Sequence, residues 1–142
     1  MKIKKFNPST VKVGRGTRYV KTISFNRKSG LVSINLATSQ ALNITQESKL
    51  TFVQDQDKPK DWYVMHDPNG YSLRRSSASA SIIFVCRELC IALLESINVM
   101  ENAARIIVSD TPVSEGDKVI YPLVTRLYGI GKSKIESNVK RF

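Results

Sequence analysis

Apolar and polar residues alternate along most of the chain between positions 18 and 125, as in half-buried β-strands. The runs with this alternation predict strands at 18–25, 32–36, 49–54, 61–66, 71–75, 105–109 and 118–124. Turn sequences separate them, among them Asn26 to Gly30 and Asp67 to Gly70, where a positive φ is expected. The pattern therefore indicates a domain that is mainly β-sheet.

One segment follows a helical period instead. In residues 82–97, apolar side chains recur at positions 82, 86, 89, 93 and 97, and additional apolar residues widen this stripe. Residues 37–42 allow only one or two helical turns. The sequence thus predicts a single α+β domain over 18–125, in which a mostly antiparallel, curved sheet of six to eight strands packs on one long helix, about 82–97.

Charge is the unusual property of this 142-residue chain, whose net charge is +10. Residues 1–30 hold nine basic side chains and no acidic one, residues 47–70 are locally acidic, and the end of the chain is basic again. We interpret 1–17 as a basic N-terminal arm and 126–142 as a basic C-terminal tail. Segregated charge is more typical of a binding face than uniform charge, and an excess of this size favours polyanionic partners.

Several other functions are not expected from the residue pattern. The first ten residues lack the apolar segment of a secretory signal, and charges interrupt the longest apolar stretch, so we expect a cytoplasmic protein without a membrane partner. Cys86 and Cys90, four apart, lack partner ligands at zinc-site spacing and are expected to be reduced and packed. His66 is the only histidine and no nucleophile–base pair is visible, so the sequence predicts no enzyme, no metal and no cofactor.

A motif in the first half of the chain resembles the AbrB-like swapped-hairpin DNA-binding family, over about residues 27–73. The matching positions are Gly30, Val32 and Ile34, then Ala41, Leu42 and Ile44, then Leu50, Phe52 and the segment from Gly70 to Leu73. Leu31 and Asn35 stand where that family usually has arginine and proline. The resemblance implies an intertwined homodimer of a transcription factor that places Arg27 and Lys28 on DNA. We therefore expect a homodimer or a higher homo-oligomer.

The order of elements also has a looser architectural likeness to the PC4/Whirly-type single-strand binders, in which a helix backs a curved sheet. Exposed aromatic residues on strands can stack on bases, and Tyr63 is the best exposed candidate because Trp62 and Val64 take the other face. Near the end, Gly129-Ile130-Gly131 followed by Lys132 and Lys134 is either a phosphate-holding hairpin or a flexible basic tail.

The sequence as a whole predicts non-enzymatic nucleic-acid binding of low sequence specificity, to DNA more readily than to RNA. Either a transcription regulator or a single-stranded DNA binder would fit. The predicted contacts are Lys12, Arg15, Arg18, Lys21, Arg27, Lys28, Tyr63, Arg74, Arg75, Lys132 and Lys134. The alternative is a protein-interaction or oligomeric scaffold module whose basic arms meet an acidic partner.

Overall fold

The computed structural model describes residues 20–125, which form ten strands and two short helices. The strands are β1 (Thr22–Asn26), β2 (Leu31–Ile34), β3 (Lys49–Gln54), β4 (Trp62–His66), β5 (Tyr71–Ser72), β6 (Arg74–Arg75), β7 (Ile82–Val85), β8 (Ala103–Val108), β9 (Val113–Glu115) and β10 (Lys118–Val124). The helices are α1 (Leu36–Ala41) and α2 (Arg87–Ser96). Neither helix in this part of the chain is long and apolar enough to cross a membrane.

The strands pair antiparallel in one sheet that nearly closes into a barrel. Its strand order is β5-β3-β4-β10-β8-β1-β2-β7-β6, and β9 adds a short branch on β10. The two ends of this order, β5 and β6, are separated in the chain by Leu73 alone. The extended segment 71–75 therefore pairs with β3 through its first half and with β7 through its second half.

The predicted sheet of six to eight strands on one long helix is wrong. Residues 82–85 form strand β7, paired with β2 from Ile34↔Ile82 to Leu31↔Val85, and the helix begins only at Arg87. This segment is rich in β-branched and aromatic residues, which favour strands, and alternation buries both Ile82 and Phe84. Positions 82 and 86 are four residues apart, a spacing that fits both a helix and every second residue of a strand. The helical period therefore did not exclude a strand here.

The turn from Asp67 to Gly70 also differs from its prediction. It does not close a hairpin, because β5 crosses to pair with β3 instead of returning along β4. Gly70 does not adopt positive φ; it is required because a Cβ there would lie 2.3 Å from the carbonyl oxygen of Leu50. The turn before β2 is as predicted, since Gly30 has φ +80°.

The core fills the barrel with the inward side chains of its strands. Phe52 contacts both Phe25 and Phe84, with ring centroids 5.8 and 6.0 Å apart, and Tyr71 stacks on Phe84 at 4.6 Å. Helix α2 packs its buried side chains against β1 and β2, and its Ser96 hydroxyl accepts a 2.7 Å hydrogen bond from the Trp62 indole on β4. Helix α2 thus connects β1 and β2 with β4, which is not their neighbour in the sheet.

Candidate nucleic-acid interface

The barrel itself carries no net charge. Residues 20–125 contain eleven basic and eleven acidic side chains, so their formal charge is zero. Residues 1–19 contain six basic side chains and no acidic one, and residues 126–142 contain five basic side chains and one acidic. The whole net charge of +10 therefore belongs to these two stretches, which we call the terminal segments.

Both terminal segments are attached to the same wall of the barrel. The first and last strands flank β8, and Thr22 of β1 and Val124 of β10 are both paired with Ile107. Neighbouring strands lie about 4.8 Å apart, so these two attachment points are separated by roughly 10 Å. The points at which the two terminal segments join the described barrel are therefore close together, as a common binding surface requires.

A cleft of about 770 Å³ lies on this wall, between the outer face of the sheet, helix α1 and the loop before β7. Its described lining residues include two cations, Lys21 and Arg105, and several with hydroxyl groups, but none with a carboxylate. Lys21 forms an ion pair with Asp110 at 3.5 Å, and both side chains are exposed enough that the pair holds Lys21 only weakly.

Strand alternation and register bring the polar groups of the cleft together. Ser24 in β1 and Ser33 in β2 each lie between two buried residues of their strand. Both serine side chains therefore face outward. Ser24 is paired with both Ser33 and Arg105. Asn35 fixes the neighbouring helix, because its side-chain oxygen accepts hydrogen bonds from the backbone N–H groups of Thr38 and Thr22.

The same register extends this row of side chains across five strands. On the outer face, Arg105, Ser24, Ser33, Ile83 and Arg74 follow one another from β8 to β6. Four strand spacings separate the two arginines, a distance of roughly 19 Å along the sheet. The row contains no acidic residue, and an arginine stands at each of its ends.

The structure brings only some of the predicted contacts together. Lys21 lines the cleft, Arg74 ends the row, and Arg75 is also exposed. Five predicted residues lie outside the described part of the chain: Lys12, Arg15, Arg18, Lys132 and Lys134.

Arg27 and Lys28, adjacent in the turn before β2, have different environments. The half-buried Arg27 guanidinium donates through Nη2 to the carbonyl of Val99, and its backbone N–H donates to Asn102 at 2.7 Å. These bonds anchor the loop between α2 and β8. Lys28 is exposed, so of these two basic side chains only that of Lys28 is directed to solvent.

Tyr63 lies on another wall, half-buried on β4. Burial raises its pKa, and the nearby carboxylates of Asp61, Asp55 and Glu115 raise it further. The same carboxylates would repel a phosphate chain. Of the other strand aromatics, Phe25 is fully buried and Tyr71 is packed in the core.

Sequence reasoning missed the cleft residues Ser24, Ser33 and Arg105. Alternation with buried neighbours could have placed both serines on the outer face, and the hairpin turn could have paired them. Nothing in the sequence, however, indicates that β1 pairs with β8, which is about eighty residues away along the chain. This pairing places Arg105 beside Ser24.

The described residues offer little for metal or covalent chemistry. No group of three metal-ligating side chains occurs within 20–125. Cys86 and Cys90 are free thiols there, and Cys86 donates to the hydroxyl of Tyr71 at 3.5 Å. No known protein family, no curated protein and no solved structure matches this chain.

Proposed function

We propose that this protein binds nucleic acid without enzymatic activity and with low sequence specificity, its terminal segments supplying the positive charge. One observation carries the proposal: the whole net charge of +10 lies in two segments that are attached to the strands flanking β8. Lysine and arginine that neutralise phosphates release counterions, and this release supplies most of non-specific affinity. In this proposal the barrel, which carries no net charge, keeps the attachment points of the two segments close together.

The two described helices support low sequence specificity. Reading a duplex sequence requires side chains that reach base edges, most often from a helix in the major groove. Helix α1 has only six residues, and α2 buries Leu89, Cys90, Leu93 and Leu94 against the barrel. The exposed charges of α2 include Glu88 and Glu95, which disfavour a close approach to phosphate.

The test is the salt dependence of DNA affinity, measured by fluorescence anisotropy with one single-stranded and one duplex oligonucleotide. A variant of the full chain replaces Lys12, Arg15, Lys132 and Lys134 by glutamine. Each lost phosphate contact lowers the slope of log K against log salt by about 0.7 for single strands and about 0.9 for duplex. We therefore expect a slope that is smaller by up to about 3 for single strands.

The matched control neutralises four exposed lysines of the barrel, Lys49, Lys58, Lys60 and Lys118. It removes the same total charge, and we expect it to leave most of the slope in place. An equal loss of slope in both variants would show that net charge alone matters and would refute the assignment to the terminal segments. Equal affinity of the wild-type protein for polyglutamate would instead favour an acidic protein partner.

A further inference from the structure

We propose that the cleft beside α1 binds the sugar–phosphate backbone of a single strand, and that it gives the protein a preference for single-stranded over duplex nucleic acid. This inference rests on the nucleic-acid binding proposed above and names the form of its ligand. It concerns only described residues of the barrel, so it can fail while binding through the terminal segments stands.

The chemistry of the lining fits a phosphodiester. Lys21 and Arg105 supply positive charge, and charge-assisted hydrogen bonds to phosphate are among the strong ones. The hydroxyls of Ser24 and Ser33 make no hydrogen bond within the described part of the chain, so both are available as donors. Serine, lysine and arginine are regular partners of phosphate and sugar in protein–nucleic acid complexes. Among the lining residues that the structure describes, no carboxylate opposes an anion.

The size of the cleft separates a single strand from a duplex. A volume of about 770 Å³ falls within the range of pockets that enclose small ligands, roughly 300–1,000 Å³. Such a cleft can take a nucleotide or two of a flexible strand. A stacked duplex is rigid and its major groove alone is about 12 Å wide, so in this proposal it fits a cleft of this volume less well than a flexible strand does.

The row of outward side chains gives a strand a path beyond the cleft. It leads from Arg105 over Ser24, Ser33 and Ile83 to Arg74, which is exposed. A strand lying along this row meets an arginine at each end, roughly 19 Å apart. None of the described lining residues is aromatic, so in this proposal recognition relies on the backbone and is tolerant of base sequence.

The experiment places a carboxylate in the cleft of the full chain, in three separate variants: Ser24→Glu, Ser33→Glu and Gln40→Glu. Gln40 is an exposed lining residue and its change is nearly isosteric, so this variant remains informative if either serine variant fails to fold. The matched controls are Ser114→Glu and Gln56→Glu, both exposed and outside the cleft lining. Affinities for a single-stranded and a duplex oligonucleotide are measured at two salt concentrations, together with thermal melting.

In the cleft variants, we expect affinity for the single strand to fall about tenfold or more, because a carboxylate would face phosphate. Duplex affinity should change by less than about twofold, and the controls should match the wild type. Unchanged single-strand affinity in variants that melt normally would overturn the proposal. An equal fall for both strand forms would also overturn it, since the cleft would then not distinguish a single strand from a duplex. Failure of the proposed function looks different: the wild-type chain would show no salt-dependent binding to either form.

Discussion

Arg27 and Lys28 are adjacent basic residues for which the structure predicts opposite outcomes. The sequence alone suggests that changing both to glutamate weakens nucleic-acid binding without unfolding the protein. In the structure, the Arg27 guanidinium hydrogen-bonds the carbonyl of Val99 and thereby holds the loop between α2 and β8. We therefore expect Arg27→Glu to destabilise the fold and Lys28→Glu to leave it intact.

The magnitude follows from the bond that is lost. A hydrogen bond from a charged group to a carbonyl contributes about 1.5–3 kcal/mol, and a glutamate at this position would place a carboxylate beside the Val99 carbonyl. Within the described part of the chain, the Nε–H of Arg27 is buried without a hydrogen-bond partner, so its removal offsets part of the loss. We expect a net loss of about 2 kcal/mol, which corresponds to about 9 °C in Tm for a domain of this size. For exposed Lys28 the change should stay within about 0.5 kcal/mol.

Urea unfolding and thermal melting of the two single variants provide the assay, with DNA binding measured on the same samples. Hydrogen exchange adds a local measurement, because the Arg27 N–H donates to Asn102 and should exchange faster in Arg27→Glu. A Tm of Arg27→Glu equal to that of the wild type would refute the anchoring role. Reduced DNA affinity in Lys28→Glu at unchanged Tm would assign the turn to the binding surface.

Two further predictions concern the barrel itself. Gly70→Ala should lower the free energy of unfolding, measured in urea, by more than about 2 kcal/mol, because the new Cβ would meet the Leu50 backbone. Gly116 has φ +66° and open space around it, so Gly116→Ala should lower it by only about 1 kcal/mol. Equal losses in the two variants would contradict this reasoning. The pKa of Tyr71 is raised to about 12, first by its hydrogen bond with Cys86 and then by burial. Folding thus favours the neutral phenol, so its contribution is present below pH 10 and is lost as the pH rises toward 12. Tyr71→Phe should lose less stability than the wild type between pH 9 and 11.5, and parallel losses would refute the assignment.

Local sequence signals were sufficient for most strands but not for their arrangement. Alternation placed strands close to β1, β2, β3, β4, β8 and β10, because each has one face in the core. It failed where two periods overlap, at Ile82 to Val85, and in the loop that holds the short, exposed strand β9. Pairing partners far apart in the chain, such as β1 with β8, leave no local signal, so the closure of the sheet was not predictable.

The same limit applies to the candidate site. The terminal segments can be located from the sequence alone, because the residue type of each position gives its charge. Whether a given cation is available for a ligand depends on its neighbours in the fold. Arg27 is an example, because its guanidinium is hydrogen-bonded to the Val99 carbonyl. The AbrB-like resemblance and the self-association it implies stay predictions.

The circular order of the strands has a consequence for how the chain reaches its native state. Strand β8 lies between β1 and β10, so β1 keeps an unpaired edge until residues 103–108 have left the ribosome. The hairpins β1–β2 and β3–β4 can form early, whereas the seam at β8 requires contacts across about eighty residues. Chains dominated by such distant pairings fold in milliseconds to seconds. Until then the edge of Thr22–Asn26 is open to other strands, and the growing polypeptide is most vulnerable to aggregation.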